Sequence, residues 1–312
     1  MRVTVIGGTG HIGSFLVPRL VDAGHHVTVV TRKKSKPYLE NEAWKQVHWV
    51  EIDRVRSEEE GRFGKAVAEH SPDVVIDLIC FKLQSLPQLV DALQDRIGLF
   101  MHCGSVWVHG EKTETPSEEH HPRRPLGEYG IQKAAIEAYL LHEVDQQRFP
   151  STVLHPGHIV GPGWTPINPV GNFNRDVFHR LATGQELMIP NLGLETLHHV
   201  HADDVATGFM QALMHRDAAK GESFHILSEK ALTWRGYAEA LADWYGQKPN
   251  LRFVAWDEFR APLSDEDAAC SWDHLVHCTS GTIEKARRKL NYVPRYSSLD
   301  AVKDALGRPT KP

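Results

Sequence analysis

Residues 2–31 read RVTVIGGTGHIGSFLVPRLVDAGHHVTVVT. A short β-branched run ends at Ile6, and glycines follow at Gly7, Gly8, Gly10 and Gly13. FLVPRLVDAG then has helical periodicity, with Gly24 placed to stop the helix, and HVTVV is a second apolar run. Strand, glycine turn, helix and strand in this order specify a βαβ unit with parallel strands. Glycines let the backbone turn tightly and approach a pyrophosphate. The helix N-terminus then offers unbonded N–H groups and a positive dipole end to the phosphates. Gly7, Gly10, His11, Ile12 and Gly13 are therefore expected at a dinucleotide.

The alternation continues along the chain. VHWVEI, DVVIDLIC (73–80), LFMHCGSVWVHG and STVLHPGHIVGPG read as strands, and LPQLVDALQDR reads as a helix. Strands alternating with helices predict a Rossmann-type, doubly wound parallel sheet covered on both faces. Ligands then bind beyond the carboxyl ends of the strands. FHILS returns the chain to that sheet. A smaller, discontinuous α+β substrate lobe is expected to cap the crevice. The expected division assigns 1–161 and 199–228 to the dinucleotide domain, and 162–198 and 229–312 to the second lobe.

The end of the second strand bears on the cofactor. A carboxylate there would hold the adenosine ribose. Thr31 stands there instead, followed by Arg32, Lys33 and Lys34. A guanidinium at this place can pair with a 2′-phosphate, so NADP is favoured over NAD. The alternative is a solvated basic loop. Asp53 is expected at the end of the third strand, either near the adenine or as a surface carboxylate.

Composition narrows the class. The chain has 312 residues and a formal net charge of −5. That acidic balance, with no basic stripe, argues against general nucleic-acid binding. No apolar run approaches a membrane span, and the first residues read as a strand rather than a signal peptide. Cys80, Cys103, Cys270 and Cys278 lack metal-type pairing and read as free thiols of a cytoplasmic protein. His199 and His201 would share a strand face, but no third ligand completes a metal site.

In EYGIQKAAIEAYLL, Tyr129 and Lys133 stand four residues apart, so a helix places them on one face. A phenol titrates near 10, and an adjacent ammonium favours its phenolate. Ser105, upstream at a strand end, can hold a substrate oxygen. The trio can move a proton at a hydroxyl beside a nicotinamide.

Together these segments resemble the extended short-chain dehydrogenase/reductases of the NAD-dependent epimerase/dehydratase family. VIGGTGHIG resembles the family's glycine loop, SVWVHG its serine segment, and YGIQK its tyrosine–lysine motif. HPGHIVGPG is similar to the RPxNxxGPG stretch that meets the nicotinamide, which implies roles for Pro156 and His158. HHVHADDVATGF and TIEKARRKLNYVPRYSSLDAV complete the likeness. The resemblance implies that Tyr129 is the general acid/base. Lys133 lowers its pKa and binds the nicotinamide ribose, and Ser105 orients the substrate oxygen. It also implies a homodimer through the helix carrying AAIEAYLLHEV.

Departures from the family narrow the chemistry. Val106 and Trp107 occupy the places of the dehydratases' Asp–Glu pair and cannot transfer protons, which argues against dehydration and decarboxylation. Leu197 stands where nucleotide-sugar enzymes carry an arginine for the diphosphate, although Arg175, Arg180 or Arg287 could substitute. Trp107, Trp164 and Trp272 are candidates to stack on a sugar ring. The expected function is an NAD(P)-dependent oxidoreductase or epimerase that transfers hydride at a carbinol or ketone carbon of a sugar-like molecule. The alternative is a non-catalytic dinucleotide-binding regulator or scaffold.

Overall fold

The computed structural model describes residues 1–33 and 37–307. Lys34, part of the basic run considered above, lies outside them. Among the described residues there are thirteen strands. They are β1 (Arg2–Ile6), β2 (His26–Thr31), β3 (His48–Glu51), β4 (Val74–Asp77), β5 (Leu99–Cys103), β6 (Ser151–Pro156) and β7 (His158–Val160). After these come β8 (Leu187–Pro190), β9 (Thr196–Leu197), β10 (His199–His201), β11 (Ser223–Ile226), β12 (Leu232–Thr233) and β13 (Leu251–Val254).

Seven strands form one parallel sheet in the order β11-β6-β5-β4-β1-β2-β3. From β1 the chain winds outward to β3, then crosses back to β4 on the other side of β1. The crevice at this reversal is where a doubly wound sheet accepts a ligand.

Strand periodicity divides the side chains between two cores. Val3, Val5, Val27, Val29, Val74, Ile76, Leu99 and Met101 face one core, with helices His11–Asp22 and Ala202–Met214. Ile6, Val30, Val75, Phe100 and Val153 face the other, with Leu89, Ile136 and Leu140. Both faces are dry, which accounts for the near-continuous apolar runs. Gly24, at φ +79°, closes the first helix, and its N–H donates to Val21 O while His25 N–H donates to Leu20 O. That pattern is the glycine stop read from the sequence.

A third core gathers Phe178, Leu181, Ile189, Trp234, Tyr237 and Leu241. The expected division gives all of 229–312 to the substrate lobe. Ile283, Ala286, Leu290 and Tyr292 instead pack in the first core with Phe224 and Ile226. Short helix Glu284–Leu290 buries its apolar residues against the sheet, not against the cap. Asp204 reinforces this by accepting the Arg295 and Tyr296 N–H groups.

The stretch expected as one strand over STVLHPGHIVGPG is two. β6 ends at Pro156, and β7 leaves the sheet to pair with β10. Gly157 makes the break, because a Cβ there would lie 2.3 Å from His198 O.

Candidate active site

Beyond the carboxyl ends of β1, β4, β5 and β6 lies a cleft of about 280 Å³. Gly7, Gly10, His11, Ile12 and Gly13 form one wall. Leu78, Ile79 and Phe81 follow β4, and Cys103, Gly104 and Ser105 end β5. Tyr129, Lys133, Pro156 and Gly157 complete the inner end. The glycine loop suits a dinucleotide. Gly7 holds φ +81°, and a Cβ on Gly13 would meet Gly8 O at 2.1 Å. The following helix has neither a side-chain N-cap nor an acidic residue in its first turn, so its positive end stays available. The buried His11 Nε2 has no hydrogen-bond partner among the described residues. The loop and the helix end fit NAD(P).

The long helix Gly127–Asp145 brings Tyr129 and Lys133 together as the spacing predicts. Their environments differ sharply. Tyr129 is 42% exposed and Lys133 is 1% exposed. Lys133 Nζ donates to Cys80 O at 2.8 Å and to Cys103 O at 2.7 Å, tying the ends of β4 and β5 together. It lies 5.8 Å from the Tyr129 ring centroid and 4.8 Å from that of Phe81. Burial pushes its pKa down. The Ser105 side chain lies near the Tyr129 hydroxyl and acts to lower its pKa.

Spacing alone leads one to expect a depressed phenol pKa. The structure gives the opposite for the ligand-free protein. Burial pushes Tyr129 up to about 12, and the Ser105 side chain only partly opposes this. The ammonium is held by two carbonyls and lies 5.8 Å from the ring centroid. Ultraviolet titration tests this directly. The wild-type minus Tyr129→Phe difference spectrum should show no phenolate band at about pH 9, a unit below an ordinary phenol. A band at that pH would mean that Lys133 dominates after all.

Ser105 is buried at the end of β5. Its hydroxyl accepts the Trp107 N–H at 3.2 Å and caps the turn Val106–Val108. Gly130 lets that turn approach the long helix, since a Cβ there would lie 3.0 Å from Trp107 O.

A second cavity of about 320 Å³ opens on the far side of Ser105 and Tyr129. Trp107, His158, Trp164, Ile167, Phe173 and His274 form its wall. Among the described residues that line it there is no Lys, Arg, Asp or Glu. Burial pushes the His158 imidazole well below its ordinary value, and that of His274 below it too. The wall is therefore electrically neutral at physiological pH.

The other expected site residues fall in different places. His158, expected at the nicotinamide, lines this second cavity and not the first. Trp272 is 46% exposed and lies 5.0 Å from Trp256 on the outside of the second lobe. A helix turns 100° per residue, so helix Asp265–His277 points His274 inward and Trp272 outward. Trp107 stacks on His277 at 3.8 Å, and Trp164 borders both cavities and lies tilted against His11, with ring centroids 3.5 Å apart.

Neither Arg32 nor Asp53 is among the described residues that line these two cavities. Arg32 is exposed after β2, and Asp53 caps helix Arg54–Glu59 by accepting the Arg56 N–H. Leu197 is fully buried in the third core. Arg180 pairs with Asp176, Arg287 pairs with Glu229 and Glu284, and Arg175 is exposed, so none borders the second cavity. His198, His199 and His201 donate from Nε2 within the fold, to Ser228 O, Ile167 O and the Asp304 carboxylate. No group of three or more metal-ligating side chains occurs among the described residues.

Residues 3–226 match the model of the NAD dependent epimerase/dehydratase family. The chain belongs to that family. Its relatives differ in activity. The chain is 29% identical to 2'-dehydrokanamycin reductase of Streptomyces kanamyceticus over 280 residues, covering 88% of this chain and 76% of that protein. It is 26% identical over 310 residues to the chloroplast stem-loop binding protein of 41 kDa b from Arabidopsis thaliana, covering 97% and 78%. Among solved structures, the UDP-glucose 4-epimerase of Thermotoga maritima with UDP-glucose superposes with a TM-score of 0.72 at 21% identity, covering 98% and 97%. At that identity the superposition speaks for the fold.

Sequence reasoning missed Ile79, Phe81, Phe173 and His274, all in cavity walls. It also missed His155 and Glu137 behind Ser105. Both of these are buried polar residues on otherwise apolar faces, and that is the signal that could have revealed them.

Proposed function

We propose that this family member is an NAD(P)-dependent oxidoreductase or epimerase acting at a carbinol or ketone carbon of a sugar-like substrate that carries no diphosphate. One observation carries the reading. Tyr129 and Ser105 both stand where a dinucleotide cleft meets a neutral, aromatic cavity. In reduction, the protonated Tyr129 hydroxyl donates to the carbonyl oxygen while Ser105 holds that oxygen. In oxidation, the same phenol oxygen takes the carbinol proton. The nicotinamide, when bound, exchanges the hydride with the carbon. Lys133 keeps the ends of β4 and β5 in register beside the reacting oxygen and has a third N–H for the cofactor ribose.

A diphosphate brings two negative charges, and burying these without a cationic partner is costly. Aromatic faces suit the apolar face of a pyranose or cyclitol. Val106 and Trp107, which carry no exchangeable carboxyl proton, support redox or epimerisation over elimination. The exposed Arg32, with Thr31 in place of a carboxylate, supports NADP over NAD. The acidic net charge of −5 works against a nucleic-acid partner. Ile136 and Leu140 face the sheet, and the exposed face of their helix is the proposed homodimer surface. Free cysteines fit a cytoplasmic location, and no described helix is long and apolar enough to cross a membrane.

A turnover panel tests the reading. NADPH and NADH are each offered with phosphate-free keto-sugars and with nucleotide-linked keto-sugars. The expected result is oxidation of NADPH by phosphate-free ketones. Turnover confined to nucleotide sugars would overturn the substrate reading, and preference for NADH would overturn the cofactor reading. No turnover in any arm would favour the non-catalytic alternative.

A further inference from the structure

Behind Ser105 lies a buried polar relay that the proposed reaction does not touch. Gly104 and Ser105 end β5, and His155 lies on the adjacent strand β6. The Ser105 N–H donates to His155 Nδ1 at 3.0 Å. An imidazole nitrogen that accepts carries no proton, so the proton of the neutral ring is on Nε2. His155 Nε2 faces Glu137 Oε1 at 3.0 Å and donates to it. Glu137 follows Lys133 by one turn of the long helix and Tyr129 by two. Arg123 fixes the carboxylate with a two-pronged contact, Nε to Oε2 at 2.8 Å and Nη2 to Oε1 at 2.6 Å. The guanidinium is itself held by the carbonyls of Glu119 and His121 at 2.8 Å each.

The geometry leaves little slack. His155 is fully buried and Glu137 nearly so. The imidazole packs so closely on the backbone that a Cβ on Gly104 would lie 2.4 Å from its Nδ1. Burial alone would raise the Glu137 carboxyl, but His155 and Arg123 outweigh it and keep the carboxylate ionised. The relay thus joins the backbone of Ser105 to the helix that carries Tyr129 and Lys133.

We propose that His155, oriented by Glu137 and Arg123, is a positioning residue that fixes the backbone of Ser105 and so the distance between the Ser105 and Tyr129 hydroxyls. This role rests on the oxidoreductase reading. An acceptor on β6 is needed because the Ser105 amide points into the fold, away from water. The Glu137 anchor ties β6 to the long helix beside Ser105, in addition to the Lys133 bond to Cys103 O and the Ser151 hydroxyl bond to Leu140 O.

Three variants separate positioning from mere support. His155→Leu removes both hydrogen bonds. His155→Asn keeps an acceptor close to the Nδ1 position, and His155→Gln keeps a donor close to the Nε2 position. Two readouts are measured for each: hydrogen exchange of the Ser105 amide in the ligand-free protein, and kcat with NADPH and a ketone. Expected for the Leu and Gln variants is Ser105 exchange faster by at least about tenfold, and kcat lower by about tenfold to a hundredfold. The KM for NADPH should stay within about twofold, because the glycine loop is remote. The Asn variant should recover slow exchange and most of kcat. Equal kcat and equal Ser105 exchange in wild type, Leu and Gln would overturn the proposal. If the Leu variant does not fold, the Asn–Gln comparison decides, and equal losses in both would overturn it too. A wild type without turnover sinks the oxidoreductase reading instead, and the amide exchange then decides the positioning by itself.

Discussion

Tyr129→Phe is expected to lower kcat by about 10²–10⁴-fold, the usual contribution of a positioned proton-transfer group. The loss should fall on kcat and leave dinucleotide affinity nearly unchanged. The hydroxyl is all that changes. The ring remains against Trp107, 5.8 Å away, and near Phe81 at 6.5 Å. Lys133 keeps its two carbonyl partners. Ser105 loses a neighbouring hydroxyl at the junction of two cavities, where water can replace it. Melting temperature should therefore stay within a few degrees, since surface-type changes are usually worth less than about 0.5 kcal/mol. Stopped-flow turnover with NADPH, together with fluorescence titration of the cofactor, checks both halves. Retained turnover would remove Tyr129 from its role. Lost cofactor binding would show that the phenol serves the dinucleotide rather than the substrate. Ser105→Ala should cost less in turnover, because a hydrogen-bond donor is lost but not the proton source. It also removes the cap that accepts the Trp107 N–H, so part of its effect should appear as lowered stability.

Gly13→Ala is expected to abolish useful dinucleotide binding, with Kd raised by about a hundredfold or more. The added Cβ would stand 2.1 Å from Gly8 O, 2.4 Å from Gly8 C and 2.7 Å from Gly8 Cα. All three are backbone atoms, so no rotamer change relieves the clash. The loop or the helix must shift by most of an ångström, and misplacement on that scale costs about 10²-fold in oriented sites. Overpacking of this kind also costs about 1–3 kcal/mol in stability. Gly10→Ala is the informative control. Its Cβ would meet nothing closer than Gly7 O at 3.7 Å, so the fold should hold its melting temperature. Any lost affinity there reports on the approach of the ligand. Calorimetric titration with NADP and a thermal melt for each variant separate the two effects. Unchanged affinity in Gly13→Ala would mean that the dinucleotide does not use this loop.

The glycine loop, the parallel sheet and the Tyr129–Lys133 pair were legible because each rests on local periodicity. Strands buried on both faces must read as continuous apolar runs, and a helix must bring i and i+4 together. The protonation of Tyr129 was not legible in this way. Spacing showed that an ammonium would be near, but not that Cys80 O and Cys103 O, from two different strand ends, would hold it. The same limit explains Trp272 and His274. Composition drew notice to the tryptophan, yet helix Asp265–His277 faces the site with its histidines. Only the packing of that helix says which face is inward.

His155 shows the limit in its sharpest form. It lies 50 residues from Ser105 and 18 from Glu137 in the chain, and no local rule links such positions. By itself the sequence determined the βαβ start, the doubly wound sheet and the pairing of Tyr129 with Lys133 on one helix, because periodicity and glycine geometry act over a few residues. Tertiary structure decided the neutrality of the second cavity, the raised pKa of Tyr129 and the relay behind Ser105. Burial and pairing between distant strands set those properties, and desolvation depends on what covers a group rather than on its neighbours in sequence.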